Sequence, residues 1–183
     1  MPGKNVKTEQ KRSCQNGDEF IECLRTMANN SEVVFTRAQS VAEAIEGLIQ
    51  KAKVSVDAAL YRFNSQRLAH SLEGANKRGL RIRLVIDHNK YKESQATREL
   101  LSNGALPFRL CYGRNGPGSK MHHKFVLVDG RAVATGSYNW TLGSEEKNYE
   151  NVLILRDPKQ LKAYQSEFDA LWTDGAEPNG RKT

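Results

Sequence analysis

Short apolar, β-branched runs alternate with segments of helical periodicity along most of the chain, and this alternation limits the fold more than any other feature. The runs Glu32–Thr36 (EVVFT), Val54–Phe63 (VSVDAALYRF), Leu80–Ile86 (LRIRLVI), Leu106–Cys111, Lys124–Val128, Ala132–Thr135 and Val152–Leu155 have the length and composition of strands. Between them, Ser40 stands where a helix N-cap belongs, with Glu43 three residues on as its capping-box partner. Val41, Ala44, Ile45, Leu48 and Ile49 then share one helical face. Ser65–Lys77, Glu93–Ser102 and Pro158–Trp172 repeat the helical pattern, the first two closed by Arg78-Gly79 and Asn103-Gly104. Asp129-Gly130 joins two apolar runs and predicts a hairpin. Together these elements predict an α/β fold: a mixed, mostly parallel sheet flanked by helices on both faces, with the hairpin as its antiparallel part.

At 183 residues the chain fits one domain with a hydrophobic core of its own, expected over residues 17–173. Residues 1–16 read as a flexible basic tail and 174–183 as a flexible C-terminal tail, with a short amphipathic helix over Asp18–Met27. Three cysteines, Cys14, Cys23 and Cys111, lack the spacing of a disulfide framework or a cysteine zinc site. Cys14 and Cys23 could pair in an exported protein, but a reducing compartment is the simpler expectation. No segment approaches the roughly 20 apolar residues of a membrane helix. The expected location is therefore cytoplasmic, or periplasmic or membrane-anchored if an N-terminal signal was removed. Lys and Arg number 28 against 21 Asp and Glu, a formal charge of +7 that favours polyanionic partners.

The chemistry concentrates between Met121 and Asn151 (MHHKFVLVDGRAVATGSYNWTLGSEEKNYEN). On a strand, His122, Lys124 and Val126 share one face, and His123, Phe125 and Leu127 the other. A cationic Lys124 beside His122, with no acidic co-ligand, makes a poor metal site and a good phosphate site. Gly136-Ser137-Tyr138-Asn139 follows the next strand, where a hydroxyl and an amide can donate to phosphate oxygens and Gly136 permits close backbone approach. Glu150 can accept from one nitrogen of His122 and leave the other free to attack.

His122-x-Lys124-x4-Asp129, then Gly136-Ser137-x-Asn139 and a downstream Glu150, resembles the signature of the phospholipase D superfamily, the HKD phosphodiesterases. The likeness is greatest to its single-motif nuclease branch, which includes bacterial Nuc and the Zucchini-type endonucleases. The resemblance implies a metal-independent phosphodiesterase without a cofactor, working through a covalent phosphohistidine on His122. It implies that Lys124 and Asn139 bind non-bridging oxygens, that Ser137 assists, and that Glu150 orients His122. Asp129 belongs to the signature, yet it falls at the hairpin turn on the opposite face from His122, so a structural role is expected. Because only one complete motif is present, two chains would have to bring both copies of His122 to one phosphate, which implies an active homodimer.

His88-x-Lys90 looks like a second motif, but Gln95 stands where Asp is required and no G-S-x-N follows, so a loop after a strand is expected there. His70 reads as a surface or otherwise satisfied histidine, and His123 as packed or hydrogen-bonded within the fold, or in contact with substrate if the strand end twists. Trp140 can either stack a base or pack behind the site. Arg62, Arg114 and Lys120 are candidates for contacts to substrate phosphates. Asp57 and Asp87 lack the carboxylate cluster of a two-metal nuclease. Three functions compete: an endonuclease for DNA or RNA, a lipid phosphodiesterase or phosphatidyl transferase using the same site, and a nucleic-acid-binding protein that has lost activity. The intact residue set and the basic charge favour the first.

Overall fold

A computed structural model describes residues 31–103 and 106–178. The expected basic tail, the helix over 18–27 and the last residues of the C-terminal tail (179–183) lie outside the described residues. The elements run β1 (Ser31–Phe35), α1 (Val41–Lys51), β2 (Ser55–Leu60), α2 (Gln66–Lys77), β3 (Arg81–Asp87), α3 (His88–Glu93), α4 (Gln95–Asn103) and β4 (Phe108–Cys111). They continue through β5 (Lys124–Val128), β6 (Ala132–Gly136), α5 (Leu142–Glu146), β7 (Asn151–Leu155) and α6 (Pro158–Asp174).

The seven strands form one sheet in the order β1-β7-β6-β5-β2-β3-β4. The sheet is mixed, as expected, but its parallel share is smaller than expected. β2–β3 and β3–β4 are parallel, whereas β2–β5, β5–β6 and β6–β7 are antiparallel. Parallel neighbours need crossover connections. Helical crossovers join β2 to β3 and β3 to β4, whereas β5 turns directly back into β6 through Asp129-Gly130.

Helices cover both faces. On one, Val41, Ile45 and Ile49 of α1 and Leu68 and Leu72 of α2 pack on Val56, Leu84 and Val126. On the other, Leu161 and Phe168 of α6 pack on Ala59, Val85, Phe125 and Val133. Each large aliphatic side chain so buried contributes about 1.5–3 kcal/mol. Central β2 is buried at all six positions. Its Asp57, 1% exposed, is paired with Arg83 at 2.7 Å and Arg81 at 3.1 Å. Leaving that buried charge unpaired would cost about 3–5 kcal/mol.

Several local expectations change. β2 stops at Leu60, and Tyr61–Phe63 peel away: Tyr61 N–H donates to His123 O (2.9 Å), and Phe63 bridges to Trp140. His88 and Lys90 lie in helix α3 instead of a loop, because Asp87 caps it by accepting from Lys90 N–H at 2.9 Å. Ser40 Oγ does accept from Glu43 N–H (3.0 Å), but the carboxylate that meets α1 comes from Glu145, which accepts from Ser40 Oγ and from Ala42 N–H. Residues 175 and 176, expected in the tail, lie beside β4, where Ala176 and Leu110 exchange backbone hydrogen bonds of 2.7 and 2.9 Å.

Candidate active site

Two anchors hold the approach to β5. Met121 N–H donates to the fully buried Asp87 (2.8 Å), and His123 O accepts from Tyr61 N–H. Between these fixed points His122 presents an exposed imidazole, its ring 4.3 Å from the Tyr61 ring. Lys124, the first residue of β5, turns back toward it. Its Nζ donates to His122 O at 2.8 Å and lies 3.3 and 3.4 Å from the two ring nitrogens. The expected pairing of His122 with Lys124 is therefore present. His123 turns toward α6, its ring beside Phe125 and its Nε2 3.1 Å from Glu167, but it stays exposed and lines the same groove as His122.

Partial burial, then the charges of Lys124 and Lys120, holds the His122 pKa below its ordinary 6.5. The imidazole is thus biased toward its neutral, nucleophilic form. Burial also lowers the Lys124 pKa; the nearby Glu150 carboxylate opposes that shift and Arg62 adds to it.

The second half of the site comes from the end of β6 and the start of β7. A Cβ at Gly136 would stand 2.1 Å from Asn151 O, so glycine is what lets the neighbouring strand come this close. Ser137 Oγ donates to Glu150 Oε2 and accepts from Asn151 N–H (3.2 Å). Glu150 Oε1 accepts from Asn148 Nδ2 at 3.1 Å. Both carboxylate oxygens of Glu150 are thus engaged by Ser137 and Asn148, and among the described residues no hydrogen bond joins Glu150 to His122. Asn139 Oδ1 is buried and has no hydrogen-bond partner among the described residues.

The remaining candidates separate cleanly. Asp129 accepts from Lys53, Val54 and Ser55 N–H at 2.9, 2.7 and 2.9 Å. Burial alone would raise its pKa, but these three donors and Arg131 outweigh it and hold the carboxyl below its usual range. Asp129 and Gly130 both take positive φ (55° and 62°), and Arg131 N–H closes the turn onto Val128 O at 2.9 Å. Lys120 and Arg114 line a groove with His122. Arg62 faces a second cavity and lies 5.7 Å from the Tyr61 ring. Trp140 is 1% exposed and edge-on to Phe63, so it packs behind the site and offers no face to a base. It accepts from Asn64 and Ser65 N–H and donates to Arg62 O, thereby fixing the segment that carries Arg62. His70 is exposed, as expected. Sequence reasoning missed Tyr61 as a wall of the site and Asp87 as the anchor of Met121. Neither lies in a motif, and the only available cue was their position at the ends of central strands.

Among the described residues no helix is long and apolar enough to cross a membrane. The family described as "Cardiolipin synthase, PLD-like domain" matches residues 45–172. Mitochondrial cardiolipin hydrolase of Xenopus tropicalis is 34% identical over 127 residues, covering 69% of this chain and 59% of the relative. The Homo sapiens protein of the same name is 35% identical over 121 residues, covering 66% and 46%. The chain thus spans less than two thirds of these curated relatives. The crystal structure of Nuc, a phospholipase D family member from Salmonella typhimurium, superposes with a TM-score of 0.71 at 28% identity, covering 79% of this chain and 95% of Nuc. With a histidine–lysine pair at the mouth of β5, a serine–asparagine turn after β6, and a matching domain over most of its length, the chain belongs to the phospholipase D superfamily of phosphodiesterases.

Proposed function

We propose that the chain is a metal-independent endonuclease that cleaves DNA or RNA through a phosphohistidine, in an active site shared by two copies. The observation that carries this reading is the exposed His122 imidazole, held toward its neutral form, with the Lys124 ammonium 3.3–3.4 Å from its ring nitrogens. That pairing places a nucleophile beside a fixed positive charge, as attack on an anionic diester requires. His122 attacks phosphorus and forms the N–P bond. The P–O bond to the leaving group breaks, and that oxygen takes a proton from His122 of the partner subunit. The partner's imidazole, now neutral, removes a proton from water. The hydroxide attacks the phosphohistidine, the N–P bond breaks, and His122 is restored with a terminal phosphate released. Lys124 neutralises the non-bridging oxygens throughout, and the Asn139 amide N–H donates to them, while Ser137, whose single hydroxyl proton goes to Glu150, holds that carboxylate beside the site. Glu150 acts through Ser137 and through its field at Lys124.

One complete motif per chain supports the shared arrangement, and so does the surface beside Glu150. Phe35 and Tyr149 are 51% and 81% exposed, and with Thr36 and Glu150 they line one concave patch. Exposed apolar side chains bordering an incomplete site suit burial against a second copy of this chain. The nucleic-acid assignment draws on the formal charge of +7, on Lys120 and Arg114 beside His122 in a groove that also carries Glu167 and Asp174, and on the likeness to the single-motif nuclease branch.

A second reading, hydrolysis of a phospholipid diester at the same site, is favoured by the similarity to proteins named mitochondrial cardiolipin hydrolase. Purified protein incubated with EDTA and, in parallel, labelled single- and double-stranded DNA, RNA and cardiolipin vesicles separates the two. Strand scission that persists in EDTA is expected. Cleavage of cardiolipin alone would replace the first reading with the second, and activity lost in EDTA and restored by magnesium would remove the metal-free mechanism.

A further inference from the structure

Beside the site lies a cavity of about 420 Å³ for which the mechanism above has no use. Its walls include Arg62, Asn64, Lys90, Glu93, Ser94 and Thr141. The Tyr61 ring connects it to the reaction centre. His122 lies 4.3 Å from that ring, Lys124 5.0 Å, and Arg62 and Lys90 each 5.7 Å. Both cavity cations therefore sit within about 10 Å of the His122 imidazole, the sum of the two ring distances.

Their backbones are pinned by the contacts that build the site. Trp140, next to Asn139, donates its N–H to Arg62 O at 3.2 Å. The buried Asp87 that anchors Met121 also accepts from Lys90 N–H. Among the described residues Arg62 has no carboxylate at ion-pair distance, and the only one on Lys90 is Glu93, one helical turn away. Two cations face one carboxylate in a cavity whose remaining walls are largely polar, an arrangement that attracts an anion. Phe63, the apolar residue in that lining, is 1% exposed, so its ring is closed to an acyl chain.

We propose that Arg62 and Lys90 form a second phosphate subsite, which holds a phosphate flanking the scissile one on a nucleic-acid strand. This rests on the nuclease reading and deepens it: the enzyme would select strands with successive phosphates over isolated diesters. Arg62 supplies a planar fork of donors, and Lys90 exchanges Glu93 for phosphate when the strand enters. Glu93 is thus a competitor for the subsite, and removing its charge acts in the direction opposite to removing Lys90.

The test compares kcat/KM for a labelled single-stranded DNA oligonucleotide with that for bis(p-nitrophenyl) phosphate, in the full chain and in Arg62→Ala, Lys90→Ala and Glu93→Gln. The strand-to-diester ratio falls about tenfold in each of the first two variants and rises in the third. Strand binding by each cation variant also has a shallower salt dependence, its log–log slope smaller by about 1. If the wild-type protein cleaves the strand but the ratio is the same in all four proteins, or if Glu93→Gln lowers it, the subsite is refuted and the nuclease reading stands. If the wild-type protein cleaves the small diester and cardiolipin vesicles but no strand, the nuclease reading fails and the nucleic-acid subsite fails with it. Glu93 is on the exposed side of a short helix, so its variant reports even if Arg62→Ala fails to fold.

Discussion

Replacing Asp129 with Ala should weaken the fold and leave the chemistry intact, although Asp129 belongs to the motif that carries His122 and Lys124. Its carboxylate accepts three backbone N–H groups at the start of β2 and lies in the hairpin turn, at the other end of β5 from Lys124. Hydrogen bonds to a charged acceptor contribute about 1.5–3 kcal/mol each when dry. Water can replace part of each bond at this half-exposed turn, so about 1 kcal/mol apiece is a fair figure, or about 3 kcal/mol in all. Alanine at the positive φ of this turn adds about 1 kcal/mol of strain. At about 2–4 °C per kcal/mol for a domain of this size, Tm should drop by roughly 8–15 °C. Asp129→Asn tolerates the φ and keeps one acceptor oxygen, so it should lose less. The carboxyl pKa is depressed in the folded state, so the stabilisation is complete above the unfolded value and fades as pH falls through the folded one. The gap in Tm between wild type and Asp129→Ala should accordingly narrow in acid. Circular dichroism melts measure Tm, and kcat on the oligonucleotide, taken well below both melting points, should stay within about threefold of wild type. A Tm equal to wild type together with a hundredfold loss of kcat would refute the structural assignment.

Three other perturbations give separate readings. The acidic limb of kcat/KM against pH should lie below 6.5, because His122 must be neutral to attack and its pKa is lowered; a limb above 6.5 would contradict that. Glu150→Gln should lower kcat about 10–100-fold with a smaller change in KM, since it alters the field at Lys124 and the Ser137 contact; a change in KM alone would assign Glu150 to binding. Trp140→Ala should cost about 3–5 kcal/mol in denaturant melts, because it empties a core position; full stability with reduced strand affinity would instead make it a base-stacking residue.

Much of this was legible in the sequence because local rules and global fold agree. The period-2 runs and capped helices marked nearly every element, and strand parity put His122 and Lys124 together. The misreadings arose where tertiary partners override local pattern. Asp87 turned an expected loop into α3 by capping it, and Glu145 took the α1 contact that local spacing assigned to Glu43. Tyr61 looked like the continuation of an apolar strand, and only the three-dimensional path of residues 61–63 makes it the shared wall of His122, Lys124, Arg62 and Lys90. The partnership of Glu150 with Ser137 and Asn148 depends on how β6 meets β7, which no residue spacing reveals.

The most direct measurement concerns the number of His122 imidazoles that one cleavage event needs. Wild-type and His122→Ala chains are co-refolded in graded proportions, and strand cleavage is followed at constant total protein. If two copies supply one site, only wild-type pairs are active and the rate follows the square of the wild-type fraction, about a quarter at equal mixing. A rate that falls in simple proportion, to about a half, would mean that each chain cleaves with its own histidine alone, and the two-copy mechanism would be wrong.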